Sequence, residues 1–198
     1  MTSLLVNHIL QTEKWTSPEL FETKNRIYTF LNPVSYLIAL ENKSLFEQFD
    51  GIFADGSLLV SAIRLVYGKR VTRRSFDMTS LAPELLNYLM ESRKTLYIVA
   101  SGQEQVECSV RIFQEQYPEL RIAGFRNGYF SSDAEMNKEA SHIVELNPDF
   151  LIVGMGALMQ EKFLLKVKKM GYQGIGFTCG GFVHQTAMNR MHYYPKLG

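Results

Sequence analysis

An alternation of short apolar runs with longer amphipathic segments most constrains how this chain folds. Five apolar runs end at glycine or polar residues; they span 52–54, 96–100, 122–125, 150–153 and 175–179. Continuous apolar runs of this length are typical of strands buried on both faces. Because amphipathic segments separate them, the chain is predicted to be α/β. The expected fold is a single Rossmann-like domain with a mostly parallel sheet and helices on both faces.

The segments between the runs carry apolar side chains at helical spacing. Helices are predicted over 34–49, 58–67, 81–90, 105–117, 133–146 and 163–170. Ser132 and Glu135 predict a capping box, and Pro148 predicts the end of that helix. Gly171 predicts a C-terminal cap for the segment before it. No repeat or linker divides the 198 residues, so one domain over 1–198 is expected.

Composition excludes several classes of protein. A hydrophobic fraction of 46% exceeds that of disordered chains, and a net charge of +1 argues against a general nucleic-acid binder. No apolar run is long enough to span a bilayer, and residues 1–15 lack the layout of a secretory signal. Cys108 and Cys179 fit neither a disulfide framework nor a metal-ligand spacing. A reduced, cytoplasmic protein without a metal is therefore predicted.

The small net charge hides two basic segments. One contains no acidic residue from its first to its last member: Arg64, Lys69, Arg70, Arg73 and Arg74. The other runs from 162 to 198, also without an acid: Lys162, Lys166, Lys168, Lys169, Arg190 and Lys196. Such clusters indicate contacts with phosphates or an anionic membrane, or else a solvated basic face.

In a parallel sheet, ligands bind outside the carboxyl ends of the strands. Asp55 and Gly56 follow one predicted strand, so Asp55 is a candidate general base or, alternatively, the N-cap of the next helix. Arg73 and Arg74 are candidate ligands for a diphosphate, or one of them forms an ion pair with Asp77.

The segment from Gly154 to Gly156 resembles part of a dinucleotide fingerprint. Met159 stands where a third glycine is needed, and the pattern does not follow the first strand, so it is weak as a nicotinamide signal. The two glycines still permit close approach of a ligand. Gln160 and Glu161 open the next predicted helix, whose N-terminus would favour an anion.

An ordered set of motifs resembles the WecG/TagA/CpsF glycosyltransferase family. The set comprises Phe-Ala-Asp-Gly at 53–56, Arg-Arg-Ser-Phe-Asp at 73–77, Asn-Gly-Tyr-Phe at 127–130, Asn-Pro-Asp at 147–149, Val-Gly-Met-Gly at 153–156 with Gln-Glu at 160–161, Phe-Thr-Cys-Gly-Gly at 177–181, Gln-Thr-Ala at 185–187 and Tyr-Tyr-Pro at 193–195. The resemblance runs from about Asn32 to the end of the chain. It implies inverting transfer of a hexose or N-acetylhexosamine from a UDP-sugar to a polyprenyl-diphosphate-linked saccharide in bacterial cell-wall, capsule or exopolysaccharide synthesis.

The resemblance also implies roles for individual residues. Asp55 matches the family's proposed general base, Asn32 an active-site asparagine, and Arg73 or Arg74 a basic residue that faces the diphosphate. The remaining residues expected to bind the donor or acceptor are Gly56, Asp77, Tyr129, Gly154, Gly156, Gln160, Glu161 and Gln185. No metal or cofactor is implied. The expected location is the inner face of the cytoplasmic membrane, with self-association as a further expectation.

The chain departs from the family pattern at several positions. Phe30 stands two residues before Asn32, where the family often has threonine; Leu158 and Met159 replace a Pro-Lys pair; and His184 lies near an expected aspartate. These changes leave the identity of the donor sugar open. The family also usually continues into a basic, aromatic tail that contacts the membrane, and the chain is expected to stop short of it. A Rossmann-like oxidoreductase or methyltransferase and a non-catalytic module of a polysaccharide assembly are the alternatives.

Overall fold

A computed structural model describes residues 4–189 of the chain. The strands in this range are β1 (Arg26–Leu31), β2 (Gly51–Ala54), β3 (Thr95–Ala100), β4 (Arg121–Arg126), β5 (Phe150–Gly154) and β6 (Ile175–Thr178). They form one sheet in the order β2-β1-β6-β5-β3-β4, and every pair is parallel. The predicted α/β, Rossmann-like fold is therefore confirmed, with a wholly parallel sheet within the described residues.

Helices connect the strands. The described helices are α1 (Leu4–Thr12), α2 (Ser17–Glu22), α3 (Pro33–Glu41), α4 (Lys43–Phe46), α5 (Ser57–Tyr67), α6 (Leu81–Ser92), α7 (Gln103–Gln116), α8 (Asp133–Leu146), α9 (Met159–Lys169) and α10 (Phe182–Asn189). Buried side chains of α2, α6, α7 and α10 share a core with one face of the sheet. Those of α1, α3, α4, α5, α8 and α9 share a core with the other face. Helices thus cover both faces, as predicted.

Aromatic rings fill the first of these cores. Tyr28 stacks on Phe177 with ring centroids 5.0 Å apart, and Phe113 stacks on Phe182 at 5.6 Å. Phe30 packs against Phe53 at 5.1 Å, close to the carboxyl ends of β1 and β2. This aromatic packing supports the edge of the sheet at which ligands are expected.

The structure corrects three predictions about strands and helices. The run at 122–125 lies in β4, an edge strand whose residues are alternately exposed and half-buried rather than buried on both faces. The helix predicted over 34–49 breaks at Asn42, whose Nδ2 donates a hydrogen bond to the Ile38 carbonyl at 2.9 Å. The predicted capping box is half present. Ser132 accepts a hydrogen bond from the Glu135 backbone, but the Glu135 carboxylate binds Ser131.

Candidate active site at the carboxyl edge of the sheet

An open cleft of about 1490 Å³ lies where the strands end. The loops after all six described strands contribute to its walls. It brings together ten of the residues predicted from the sequence: Asn32, Asp55, Gly56, Arg73, Asp77, Tyr129, Gly154, Gly156, Gln160 and Gln185. Arg74 and Glu161 do not line it. The rule that ligands bind at this edge therefore located most of the predicted residues.

Asp55 follows β2 directly, and one third of its side chain is exposed to the cleft. Its Oδ1 lies 4.0 Å from the Arg73 guanidinium. Burial raises the pKa of Asp55 and the Asp77 carboxylate raises it further, whereas Arg73 and the Gly56 N–H act to lower it. A carboxylate with a raised pKa is a stronger base than an ordinary one. The helix α5 has Gly56 as its N-cap and no side-chain cap, which disfavours the capping interpretation of Asp55.

Asp77 holds Arg73 in place. Its Oδ2 accepts hydrogen bonds from Arg73 at 2.7 Å and Ser75 at 2.8 Å, and its Oδ1 accepts two from Thr79. Burial alone would raise the pKa of Asp77, but the bonds from Thr79 and Ser75 and the charge of Arg73 leave it below its ordinary value. Asp77 therefore stays ionised and fixes the guanidinium beside Asp55.

Arg74 points elsewhere. Its guanidinium donates to the Trp15 carbonyl at 2.9 Å and lies over the Phe53 ring, 5.2 Å from the centroid. Of the two adjacent arginines, Arg73 is thus the one that the structure places on the cleft. Arg73 is also the arginine that forms an ion pair with Asp77. The sequence offered two interpretations of the adjacent arginines, a ligand for a diphosphate and a partner for Asp77, and Arg73 is placed to do both.

The loops after β3, β4 and β5 are bound to one another. The Ser101 N–H donates to the Gly154 carbonyl at 3.1 Å, and the Gly128 N–H donates to the Ser101 carbonyl at 2.8 Å. A side chain at Gly154 would meet the Gly180 carbonyl oxygen at 2.6 Å. Gly154 is therefore required for packing between loops, whereas Gly156 has φ of +83° and open space beside it.

Buried polar residues beneath the cleft form a network. The Glu161 carboxylate accepts hydrogen bonds from the Leu158 N–H at 2.7 Å, the Thr29 hydroxyl at 2.8 Å and the Gln160 amide at 3.0 Å. Gln160 in turn accepts a bond from the Gly180 N–H at 3.2 Å. Burial raises the pKa of Glu161. The network caps α9 from within and connects it to the loop after β6.

Asn32 and Tyr129 lie on opposite walls of the cleft. Asn32 is the N-cap of α3, where its Oδ1 accepts a hydrogen bond from the Ser35 N–H at 2.9 Å. The Tyr129 side chain is exposed, and its loop is held by Arg126, which donates to the Tyr129 carbonyl at 2.9 Å and lies 4.0 Å from the centroid of the Phe130 ring. Both residues are exposed and therefore accessible to a ligand in the cleft.

Several polar residues that line the cleft were not among the sequence candidates, and three of them are Ser101, Gln105 and His184. Ser101 and Gln105 follow β3, and His184 lies in the first turn of α10. Each of them stands shortly after the end of a strand, and this position in the sequence could have identified it as a cleft residue. Among residues 4–189, no group of three or more His, Cys, Asp or Glu side chains has the geometry to hold a metal ion.

Comparison with protein-family models identifies the family of the chain. A model of the glycosyl transferase WecG/TagA/CpsF family matches residues 9–192. The chain belongs to this family. The motifs of the resemblance start at Asn32, whereas the family match starts at residue 9, so it also includes the last residues of α1 and all of β1.

Two kinds of WecG/TagA/CpsF enzyme are among its relatives. The UDP-Gal:alpha-D-GlcNAc-diphosphoundecaprenol beta-1,4-galactosyltransferase of Shigella boydii is 31% identical over 97% of this chain and 76% of its own length. The N-acetylglucosaminyldiphosphoundecaprenol N-acetyl-beta-D-mannosaminyltransferase of Bacillus subtilis is 23% identical over 78% of this chain. That of Staphylococcus aureus (strain NCTC 8325) is 25% identical over 72%. The match covers 60% and 56% of these last two enzymes.

The structure explains one departure from the WecG/TagA/CpsF pattern. Phe30 lines the cleft, but the neighbouring Thr29 is buried on the other face of the sheet, where it binds Glu161 and Thr178. Successive strand residues face opposite sides, so Thr29 does not replace a threonine at position 30. The Tyr-Tyr-Pro motif, Arg190, Lys196 and the expected stop before a tail lie outside the described residues.

Proposed function

We propose that this protein transfers a hexose from a UDP-sugar to a hydroxyl of a polyprenyl-diphosphate-linked saccharide, with inversion at the anomeric carbon and without a metal. The observation that carries the proposal is the pair of Asp55 and Arg73 in the cleft, a base of raised pKa beside a fixed cation, within a glycosyl transferase family. Residues 1–198 are proposed to act as one glycosyltransferase domain.

In the proposed reaction, Asp55 accepts the proton of the acceptor hydroxyl. The hydroxyl oxygen attacks the anomeric carbon, and the bond from that carbon to the UDP oxygen breaks on the opposite face. The electron pair leaves with UDP, whose added charge Arg73 stabilises because its guanidinium can bind two phosphate oxygens. Asp77 orients Arg73 through the 2.7 Å ion pair and does not contact the substrate in this scheme.

The other cleft residues have supporting roles in this proposal. Asn32, Tyr129 and Gln185 contact the sugars or the nucleotide, and the glycines at 56 and 156 allow the substrate to approach the backbone. Gln160 and Glu161 act through the buried network, because both are almost fully buried and hydrogen-bonded to protein partners. They position the loop after β6.

UDP-galactose is the donor to test first. The galactosyltransferase relative is 31% identical, against 23% and 25% for the two mannosaminyltransferases. Phe30 also contributes a phenyl ring to the lining of the cleft, at a position where the family often has threonine. A phenyl ring provides no hydrogen-bond partner for the N-acetyl group of a UDP-N-acetylhexosamine, and a buried amide without a partner is costly.

The acceptor places the proposed activity at a membrane. A polyprenyl diphosphate is anchored in the bilayer, so we propose that the protein acts as a peripheral protein at the inner face of the cytoplasmic membrane. Among residues 4–189, no helix has the length and apolar character to cross a bilayer.

A donor screen tests the proposal. The protein is incubated with UDP-galactose, UDP-glucose and UDP-N-acetylhexosamines and with a short-chain lipid-diphosphate N-acetylglucosamine acceptor, and UDP release and product mass are measured. We expect acceptor-dependent release of UDP from one hexose donor, undiminished in EDTA. Loss of activity in EDTA that Mg²⁺ restores would contradict the metal-free mechanism.

Calorimetric titrations with UDP, NAD and S-adenosylmethionine, together with the screen, separate the alternatives. Saturable binding of NAD or S-adenosylmethionine without binding of UDP would favour an oxidoreductase or methyltransferase. Absence of both binding and transfer would favour a non-catalytic module of a polysaccharide assembly.

A further inference from the structure

The helix α5 has exposed as well as buried apolar side chains. Leu59 and Ile63 are buried in the core, whereas Leu58, Leu65 and Val66 are 69%, 87% and 69% exposed. At about 100° per residue, Leu58 and Leu65 share a direction about 120–140° away from the buried pair, whereas Val66 lies on the side of the buried pair, near the C-terminal end of the helix. A surface helix ordinarily carries polar or charged side chains away from the core, so exposed leucines there indicate a contact with another apolar surface.

A second helix extends the exposed apolar surface. Val34 and Leu37 of α3 are 69% and 63% exposed. The helices α3 and α5 begin at the ends of the neighbouring strands β1 and β2, and the residues just before them, Asn32 and Gly56, line the cleft. Val34 and Leu58 therefore lie near the rim of the candidate active site, whereas Leu65 and Val66 lie about 13–15 Å further along α5.

Basic side chains accompany this surface. Arg64, Lys69 and Arg70 are exposed and form no salt bridge with any residue in the described part of the chain. Residues 56–76 contain no Asp or Glu. Arg73 and Arg74 of the same segment have other partners. An apolar strip with unpaired basic residues is complementary to lipids with anionic headgroups.

We infer that Val34, Leu37, Leu58, Leu65 and Val66, with Arg64, Lys69 and Arg70, form a docking surface for an anionic bilayer. A second copy of the chain is a poorer occupant, because a two-fold contact would place these like charges near one another. The inference rests on the proposed function only in that a lipid-linked acceptor requires a membrane. Docking here would bring the cleft rim to the headgroups from which the acceptor projects.

Vesicle binding tests the docking surface. Wild-type protein is sedimented with vesicles of phosphatidylcholine and phosphatidylglycerol and with vesicles of phosphatidylcholine alone. We expect binding to the anionic vesicles that falls with added salt. Each basic residue is worth about 1 kcal/mol near such a surface, or about fivefold, so R64Q/K69Q/R70Q should weaken binding by about a hundredfold. L65Q/V66Q should weaken it as well.

A matched variant controls for net charge. K24Q/R93Q/R121Q also removes three exposed basic residues, but these lie just before or at the start of β1, β3 and β4, at the opposite edge of the sheet. It should bind anionic vesicles nearly as the wild type does. Equal losses in this variant and in R64Q/K69Q/R70Q would overturn the inference, as would unchanged binding in L65Q/V66Q. Light scattering tests for a dimer of the wild type. If L65Q/V66Q dissociates such a dimer while vesicle binding persists, the surface is assigned to a second copy of the chain.

Two readouts separate this inference from the proposed function. Transfer to a short-chain, water-soluble acceptor should be unchanged in L65Q/V66Q and R64Q/K69Q/R70Q, because none of these residues lines the cleft. If the wild type transfers no sugar but vesicle binding follows the expected pattern, the proposed function fails and the docking surface stands. If the wild type transfers sugar but both variants bind vesicles as the wild type does, the docking surface fails and the proposed function stands.

Discussion

Replacement of Asp55 by asparagine separates catalysis from stability. The variant keeps the shape of the side chain and removes the group that accepts the proton. A positioned general base contributes about 10²- to 10⁴-fold to the rate, or about 3–5 kcal/mol of transition-state stabilisation. Transfer by D55N should fall by that factor, measured as acceptor-dependent UDP release with a short-chain lipid-diphosphate acceptor.

The stability of D55N should change little. The pair of Asp55 and Arg73 is separated by 4.0 Å, and each side chain is one-third exposed, so it contributes at most about 1 kcal/mol. The raised pKa of Asp55 shows that the folded protein disfavours its ionised form. Asparagine removes that cost at neutral pH, which offsets the lost pair. The Tm should stay within about 4 °C of the wild-type value.

The pH dependence gives a second check on Asp55. The base is active only when ionised, so transfer should rise as the pH increases through its raised pKa. The Asp77 charge helps to raise that pKa. D77N removes this charge and releases Arg73 towards Asp55, so the acidic limb of the kcat/KM profile should move to lower pH. Because the pKa of Asp55 is raised in the folded protein, the free energy of unfolding should decline as the pH rises through that pKa. D55N should not show this decline. Near-wild-type transfer by folded D55N would refute the assignment of the base.

Three further predictions concern the residues around the base. E161A removes the acceptor of three donors, the Leu158 N–H, the Thr29 hydroxyl and the Gln160 amide, and should lower the free energy of unfolding by about 3 kcal/mol, measured by urea denaturation; an unchanged midpoint would contradict the buried network. G154A drives a methyl group against the backbone of the next loop and should cost about 1–3 kcal/mol, whereas G181A, whose added carbon meets only a side chain at 3.6 Å, should melt near the wild-type temperature. R73K should raise the KM for the UDP-sugar about tenfold or more, because lysine cannot bind two phosphate oxygens, whereas R74K should leave it within about twofold. Equal effects of the two lysines would contradict the placement of the arginines.

The sequence predicted the layers of the fold from the apolar runs, but it missed β1. Arg26–Leu31 begins with arginine and has Thr29 in its middle, so it lacks the continuous apolar run that marked the other strands. The edge position of β4 was also beyond a local pattern. Its apolar run resembles those of the central strands, and only the order of the strands shows that β2 and β4 are the two edges of the described sheet.

The candidate site was predictable in position more than in detail. The carboxyl-edge rule and the family motifs located Asp55, Asn32 and Arg73 at one cleft. They did not distinguish Arg73 from Arg74, because that choice depends on where the chain turns after α5. Nor did they show that Glu161 is buried, since its partner Thr29 is 132 residues away in the sequence.

Phe30 belongs to the aromatic core and to the wall of the cleft at once. It stacks on Phe53 and meets Phe76 edge to face at 5.9 Å, while its ring also borders the space for substrate. A smaller residue would widen the cleft and leave a void between these rings in the same step. Laboratory evolution of a new donor preference at position 30 would therefore have to recruit compensating changes at 53 and 76, so under the proposed function a change of donor at this position also affects stability.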